Sequence, residues 1–404
     1  MTSAPAVRFL DRNTPPHVST LMLIAGISAL NMSIFLPSLA AMAVWFDTDY
    51  ALMQLSVSAY LAVTALLQVV IGPISDRFGR RPVILWSMAI FVVATIGAVY
   101  APSVEVFLAF RMMQGAVASA MVLSRAIVRD MFPQEQAASV IGYVTMGMAL
   151  VPMVGPVVGG VLDEAFGWQA TFWFLAACGI GVGLLCYFDQ GETVAGRGIS
   201  FADQFRSYPE LLRSQRFWGY VLCAAFASGA FFAFLGGASF VAGDVYGLSA
   251  VWTGAALGAP AIGYAVGNFV SGRYSVRFGI NRMILAGTLI TAAGMGLSLL
   301  LSLAGVHSAL IFFSFCTTVG LGNGLVMPNA TAGMLSVRPH LAGTASGLGG
   351  AILIGGGAAL SAVAGALLVP GSGALPLQVI MFLTALCAGA SILWVIRRER
   401  FLNG

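Results

Sequence analysis

Long apolar runs separated by short polar segments follow one another along almost the whole chain. A run of about 20 apolar residues is long enough to cross the hydrocarbon core of a bilayer as an α-helix. The pattern predicts twelve spans, numbered 1 to 12 in chain order: 18–41, 51–74, 82–101, 104–128, 138–162, 167–188, 216–241, 250–272, 281–304, 308–334, 341–369 and 374–396. Span 1 is interpreted as retained, because no small-residue cleavage site follows it.

The composition agrees with this pattern. Of the 404 residues, 59% are hydrophobic and only 8% are charged, whereas soluble domains carry about 25% charged residues. The chain is therefore predicted to be a multi-pass protein of the lipid bilayer. Its five cysteines all fall in predicted spans and form no C-x-x-C pair, so we expect neither a metal site nor a disulfide, and no cofactor.

The arginines predict the orientation. The chain has no lysine, and 18 of its 19 arginines fall in the segments that lie inside when both termini are placed in the cytoplasm. This agrees with the excess of positive charge in the cytoplasmic loops of membrane proteins. Such a distribution explains the basic character of the chain without a nucleic-acid partner. The arginine left over, Arg111, lies inside span 4.

An internal repeat divides the chain. The longest polar connection, 189–215, has six predicted spans on each side. GPISDRFGRR at 72–81 and GRYSVRFGIN at 272–281 share five residues in register, at a constant offset of 200. Internal repeats of this kind are typical of transporters. We therefore predict an all-α membrane protein with an N-terminal half (1–188), a cytoplasmic linker (189–215) and a homologous C-terminal half (216–404).

Several motifs point to one family. GPISDRFGRRP at 72–82 resembles the loop signature of the major facilitator superfamily, and VPMVGPVVGG at 151–160 resembles the span-5 signature of its drug:proton antiporters. FRMMQGAVASA at 110–120 resembles the span-4 signature, and IFLPSLAAM at 34–42 is similar to the Bcr/CflA-like multidrug exporters. The resemblance implies the major facilitator fold, a monomer in the bacterial inner membrane, and export of small molecules in exchange for protons by alternating access.

The loop motif supplies a candidate conformational latch. Its glycines allow a tight turn and close helix approach, and its arginines hold the turn on the cytoplasmic side, which a simple topological anchor would also explain. The resemblance implies that the acid between them helps to latch the two halves in one conformation. The candidate latch comprises Gly72, Asp76, Arg77, Gly79 and Arg80.

The span-5 motif combines two prolines, Pro152 and Pro156, with three glycines. Pro156 lacks a backbone donor, while Gly155, Gly159 and Gly160 permit close packing against a neighbouring helix. The resemblance implies that these four residues seal the outer half of the pore against leaks.

Arg111 is the main candidate for a central site. A charged side chain inside a bilayer costs between roughly 3 and more than 10 kcal/mol, so it is expected to face water or protein. Gln114 lies three residues later, on the same helix face. Arg111 could bond backbone carbonyls of a neighbouring helix, or it could bind polar substrate atoms or bias the protonation of a carboxylate. The resemblance favours a role at the substrate or proton site.

Helical spacing adds further candidates for that site: Asn31, Ser33, Phe35, Tyr60, Gln68, Asn268 and Asn323. Taken singly, such residues more often make helix-packing contacts or interhelical hydrogen bonds than ligand contacts. Many family members carry an acid in span 1 where this chain has Ser33, so the proton carrier is left open, with Glu105, Asp76 and Asp130 as fallback candidates.

Other functions stay open to different degrees. The missing span-1 acid makes an importer or uniporter of a metabolite the alternative on the same fold. A membrane-embedded enzyme is disfavoured, because the three histidines lie in predicted termini and loops and no nucleotide-binding G-x-x-x-x-G-K-[ST] motif occurs. A channel fits two halves around a central charge less well than alternating access does.

Overall fold

The computed structural model describes residues 7–132, 140, 144, 151, 154–193, 209–338 and 341–403. In the N-terminal half the helices are Val18–Ser33, Leu39–Trp45, Tyr50–Phe78, Arg80–Val99, Val104–Met113, Val117–Met131, 154–166 and Gln169–Asp189, with 3₁₀ turns at Leu36–Ser38 and Gln114–Ala116. In the C-terminal half they are Gln215–Phe240, Ala250–Leu257, Ala259–Phe278, Ile280–Leu303, Ala309–Ser336, Ala342–Leu367 and Leu375–Asn403, with a π-helical turn at Val241–Val245.

Ten helical segments in the described ranges are long and apolar enough to cross a membrane. They coincide with ten of the twelve predicted spans, which confirms an all-α, multi-pass membrane protein. Span 8 is divided into two helices that meet at Gly258, and Pro260 lies in the first turn of the second one. Much of span 5 lies outside the described residues. The count of twelve and the orientation of the termini stay predictions.

Two spans are interrupted near Arg111. The helix of span 1 ends at Ser33 and gives way to the 3₁₀ turn that contains Pro37, which has no N–H to continue an α-helix. The helix of span 4 is interrupted directly after Met113. Short 3₁₀ stretches inside helices often mark functional positions.

The repeat is visible in the turns. Gly79 and Gly279, 200 positions apart, have φ angles of +96° and +83°, and each ends one long helix and begins the next. Glycine is the residue that adopts this backbone conformation without strain, so the repeat preserves the turn for a physical reason. The boundaries of the two halves stay a prediction.

Spans 2 and 11 run antiparallel along the contact between the halves. Gln54 lies next to Ser361, and Gln68 lies next to Gly350. The corresponding ends of both halves therefore lie at the same end of the bundle. We call the end that carries Arg80, Arg216 and Arg338 the arginine-rich end, and the other one the opposite end.

The apolar core is distributed unevenly between these ends. At the arginine-rich end each half has its own cluster of buried side chains, around Leu21 and Ile127 in the first half and around Phe217 and Val395 in the second. At the opposite end one cluster extends through both halves and includes Phe35 and Phe234. Among the described residues, the halves thus share an apolar core at the opposite end alone.

Candidate functional site

Arg111 lies inside the N-terminal half, fully buried between spans 1, 2 and 4. Its NH1 group donates to the side-chain oxygen of Asn31 at 2.8 Å and to the side-chain oxygen of Gln114, and its NH2 group donates to the backbone carbonyl of Asn31 at 3.0 Å. The carbonyl bond matches the expectation of an arginine that binds the backbone of a neighbouring helix. The side-chain bonds join it to two other predicted site residues.

The hydrogen bonds continue into span 3. Gln114 Nε2 donates to Thr95 Oγ1 at 2.7 Å, and Thr95 Oγ1 donates to the carbonyl of Phe91 at 2.6 Å. Gln114, Thr95 and Asn31 are all buried. A continuous polar chain therefore links spans 1, 3 and 4 around the guanidinium. A connected network of this kind fixes the rotamers of its members.

Two aromatic rings enclose the guanidinium. Its central carbon lies 4.1 Å from the centre of the Phe35 ring and 4.6 Å from that of Tyr60. A desolvated cation over an aromatic face is stabilised by about 2 kcal/mol, so these two predicted residues help to offset the cost of burying the charge. We call Asn31, Phe35, Tyr60, Arg111 and Gln114 the Arg111 cluster.

The Arg111 cluster keeps a net positive charge and free donors. Among the described residues no carboxylate forms an ion pair with Arg111. Arg111 Nε and Asn31 Nδ2 are buried and have no hydrogen-bond partner. An unpaired buried donor is costly, roughly 1–3 kcal/mol, and such groups are typical of sites that bind a ligand or change conformation. The cluster can therefore bind a ligand that supplies a hydrogen-bond-accepting oxygen or a negative charge.

The other predicted site residues make their described contacts elsewhere. Ser33 donates to the carbonyl of Ala29 at 3.1 Å. Gln68 faces Gly350 at the contact between the halves. Asn268 donates to the carbonyl of Tyr264, one turn earlier in its own helix, at 2.8 Å. Asn323 is buried and its Oδ1 has no partner.

The candidate latch forms an ion cluster within the N-terminal half. Arg80 pairs with Asp76, and its Nε lies 3.1 Å from Asp130 Oδ2. Arg77 is exposed and lies over the ring of Phe78. Gly79 makes the expected turn. Gly72 lies inside the helix Tyr50–Phe78 and not at the turn, and nothing approaches the position of a Cβ atom there within 4 Å, so its part in a latch stays a prediction.

Glu192, in the linker, joins this ion cluster. Its carboxylate accepts from the backbone N–H of Arg80 at 2.9 Å and of Arg81 at 3.3 Å. These are the first two amides of the helix Arg80–Val99, which have no acceptor within the helix and carry its positive dipole. Thr193 donates to Asp130 at 3.2 Å. The start of the linker is therefore fixed to the latch region.

The span-5 motif packs on span 1. A Cβ atom on Gly155 would lie 2.8 Å from the hydroxyl of Ser33, and one on Gly159 would lie 2.8 Å from the carbonyl carbon of Ile34. Real Cβ atoms do not approach that closely, so only glycine allows the two helices to lie at this separation. This explains the spacing of the two glycines.

The same motif also contacts the other half. A Cβ atom on Gly160 would lie 2.9 Å from the carbonyl carbon of Ala250, and one on Gly254 would lie 2.8 Å from the carbonyl carbon of Pro156. The two glycines are thus reciprocal, each against the backbone of the opposing helix. Val251 N also donates to Glu164 at 3.3 Å. Span 5 and the first helix of span 8 therefore touch backbone to backbone.

Polar contacts add to this junction at the opposite end. Tyr50 donates to the carbonyl of Gly236 at 2.9 Å, Gln54 donates to Ser361 at 2.7 Å, and Ser239 donates to the carbonyl of Leu36. We call these contacts, together with those of Gly160, Glu164 and Gly254, the seam. Gln54 is almost fully buried and lies against Gly236 and Gly365, whose lack of a side chain makes room for it.

Sequence reasoning missed several participants, among them Thr95, Gln54 and Ser361. Thr95 completes the polar chain around Arg111, and Gln54 with Ser361 forms the buried bond across the seam. A signal existed for Gln54, because an amide four residues into a predicted span is a polar group that needs a buried partner. Thr95 and Ser361 give no such signal, since hydroxyls in membrane helices often bond to their own helix backbone.

The chain matches the sequence model of the Major Facilitator Superfamily over residues 21–362. It is 31% identical over 333 residues to the Chloramphenicol resistance protein of Pseudomonas aeruginosa, covering 81% of this chain and 79% of that protein. It is 30% identical over 368 residues to Multidrug resistance protein D of Escherichia coli (strain K12), covering 88% of this chain and 90% of that protein.

A solved structure supports the same architecture. The crystal structure of a bacterial homologue of the human lysosomal transporter Spinster, in an inward-facing and occupied conformation, matches with a TM-score of 0.69 and covers 95% of this chain and 96% of that one. The sequence identity is 18%, so this likeness concerns the fold alone.

Proposed function

The chain belongs to the major facilitator superfamily and is a multi-pass secondary transporter, and from this premise we propose that it exports small amphipathic drugs or metabolites in exchange for protons. Relatives named for resistance to chloramphenicol and to multiple drugs support export, as does the span-5 signature. The proposal places the protein in the bacterial inner membrane as a monomer, with the arginine-rich end in the cytoplasm.

The Arg111 cluster carries the substrate part of this proposal. It combines two aromatic rings with a buried cation that no described carboxylate pairs with and two donors that have no described acceptor. A compound with a carbonyl, hydroxyl or sulfonyl oxygen and an apolar ring would satisfy the donors and pack on the rings. Arg111 is fully enclosed in this structure, so access requires Phe35 or Tyr60 to move.

The seam supports the part of the proposal that concerns the change of conformation during transport. Spans 2, 5, 7, 8 and 11 meet at the opposite end, and in the part of the chain that the structure describes the halves share an apolar core only there. This fits a state that is closed at the opposite end, which the orientation proposed here makes the outer side. Export then requires the seam to break as the halves rock about the centre. Asp76, Arg80 and Asp130 are proposed to latch the arginine-rich end in the other state.

The proton carrier is proposed to lie outside the Arg111 cluster. The cluster itself contains no acid, and Asp76 and Asp130 lie in the ion cluster at the arginine-rich end. The alternative of an importer or uniporter is not favoured, since the relatives named above are resistance proteins.

The test is transport by the purified protein in liposomes that enclose a pH-sensitive dye. A pH gradient is imposed, and a panel of phenicol, bicyclomycin-type and sulfonamide compounds is added one at a time. We expect proton movement that appears only with particular compounds, together with countermovement of the compound. Liposomes without protein report passive leak, and liposomes with an Arg111→Lys variant report the contribution of the cluster.

The outcomes separate the two functions. Compound movement without proton flux would replace antiport by the uniporter. Compound-dependent proton flux of equal size in the wild type and in Arg111→Lys would keep antiport but remove the Arg111 cluster from the substrate site. No movement of any compound across a panel that includes chloramphenicol would overturn the proposed substrate class.

A further inference from the structure

A pocket at the arginine-rich end of the C-terminal half has a volume of about 330 Å³. Four arginines from four different segments converge on it, from the end of the linker, the start of span 7 and the ends of spans 10 and 12. Its polar lining consists mainly of Arg213, Arg216, Arg338 and Arg398, with Glu210 and Ser214. This basic pocket lies far along the chain from the Arg111 cluster and belongs to the other half.

Two of the four arginines are not neutralised by a carboxylate. Arg338 pairs with Glu210 at 3.0 Å, and Arg216 pairs with Glu399 at 2.7 Å. Arg213 and Arg398 form no ion pair with any acid in the part of the chain that the structure describes. Counted over the described residues, the basic pocket therefore keeps a positive charge of about two and attracts an anion.

Arg216, which lines the basic pocket, adds donors for which the structure describes no acceptor. Arg216 Nε is buried and has no hydrogen-bond partner. Arg216 also stands in the first turn of the helix Gln215–Phe240, whose leading amides have no acceptor within the helix. Ser214 caps the amide of Phe217 at 3.4 Å, and no described residue accepts from the amides of Gln215 and Arg216. This helix has 26 residues, and the positive end of its dipole together with these amides favours binding of an anion at its start.

The N-terminal half shows how such a helix start is completed. There Asp189 lies at the start of span 1, where it accepts from the backbone N–H of His17 at 2.9 Å and from the hydroxyl of Thr20 at 2.6 Å. The acid in the last helix of the C-terminal half, Glu399, instead accepts from Arg216 and Asn281 side chains. Among the described residues, no carboxylate accepts from the backbone amides at the start of span 7, as Asp189 does at the start of span 1.

We propose that the basic pocket binds a phosphate group, carried either by the headgroup of an anionic lipid or by a soluble phosphate. Arginine forks match the tetrahedral oxygens of phosphate with paired hydrogen bonds. Basic pockets between membrane helices are a known location for anionic headgroups. Bound phosphate would take the place that Asp189 fills in the other half and would tie the ends of spans 7, 10 and 12 together.

The lipid arm of the test uses native mass spectrometry of the full-length protein with phosphatidylglycerol or phosphatidylcholine. The wild type is expected to keep one phosphatidylglycerol preferentially. A double variant, Arg213→Gln with Arg398→Gln, is expected to bind phosphatidylglycerol about 30-fold more weakly. Each arginine near a membrane surface contributes roughly a fivefold increase in affinity for an anionic lipid, and the variant removes two of them. Arg273→Gln is the matched control, since Arg273 is exposed at the same end of the same half and lies outside the pocket.

The soluble arm measures thermal unfolding in phosphatidylcholine nanodiscs with inorganic phosphate or chloride at equal ionic strength. Stabilisation by phosphate in the wild type but not in the double variant would identify a soluble phosphate as a ligand, whereas a response only in the lipid arm would identify a headgroup. The proposal is overturned if neither arm distinguishes the wild type from the double variant. It is equally overturned if Arg273→Gln loses as much binding as the double variant does.

Discussion

Replacing Gly160 by alanine tests whether the seam holds the opposite end closed. The new Cβ would lie 2.9 Å from the carbonyl carbon of Ala250 and 3.1 Å from the Cα of Val251, whereas ordinary contact begins at 3.4 Å. Spans 5 and 8 must therefore separate by at least about 0.5 Å, against backbone atoms that cannot rotate away. Overpacking of this kind costs about 1–3 kcal/mol. Because the contact joins the two halves, the cost should fall on the closed state alone and shift the equilibrium by about 5- to 150-fold.

The assay is a distance measurement between spin labels at Asp49 and Ser249, exposed positions in the two halves at the opposite end. Gly160→Ala should add a population with a longer distance. Gly181→Ala is the control, because nothing lies within 4 Å of the position of its Cβ. Gly159→Ala, which clashes with Ile34 inside the N-terminal half, should lower the melting temperature instead. If Gly160→Ala folds and leaves the distance distribution unchanged, the seam does not control closure.

Three further predictions follow from named contacts. Arg111→Lys keeps the charge but loses the guanidinium fork that reaches both the side-chain and the backbone oxygen of Asn31. Equilibrium binding should show that the affinity for compounds falls by about tenfold to a hundredfold. An unchanged affinity would contradict the assignment of the Arg111 cluster to the substrate site. Gln54→Ala removes the buried bond to Ser361 and should shift the same spin-label equilibrium by about fivefold; an unaltered distribution would show that this bond does not stabilise closure. Burial, assisted by the charge of Glu164, raises the pKa of Asp163 in the folded protein, so this group should favour the fold most at low pH, and the melting temperature should fall as pH rises from the ordinary aspartate range through the raised pKa. Thermal unfolding of Asp163→Asn should lack this part of the pH dependence, and its persistence there would assign it to another group.

Much of the architecture could be predicted because the bilayer leaves few solutions. Only helices satisfy their backbone groups in lipid without neighbours, so hydropathy alone located ten spans that the structure confirms. Local chemistry displaced some boundaries. Pro37 ends the α-helix of span 1 several residues before the apolar run ends, and the π-helical turn Val241–Val245 extends span 7. Hydropathy does not distinguish these backbone forms.

The Arg111 cluster was predictable in part for the same reason. A buried cation needs polar or aromatic partners, and Asn31, Phe35, Tyr60 and Gln114 were the available ones at helical spacing. Gln68 has the same spacing in span 2 as Tyr60 but lies against the other half. Helical periodicity predicts which residues share a face of a helix. Which helix packs against that face depends on the tertiary arrangement, and a single sequence does not show that arrangement.

The location of each contact relative to the two halves decides what it can do. Every described contact of Arg111 joins residues of the N-terminal half, so a rocking motion of rigid halves leaves the cluster intact in both states. The seam contacts join one half to the other and must break in each cycle. Substitutions in the cluster should therefore change the affinity for compounds without changing the spin-label distances, and substitutions in the seam should do the reverse. A seam that breaks in each turnover is best built from weak, closely packed contacts, which is what glycine against backbone and single hydrogen bonds provide.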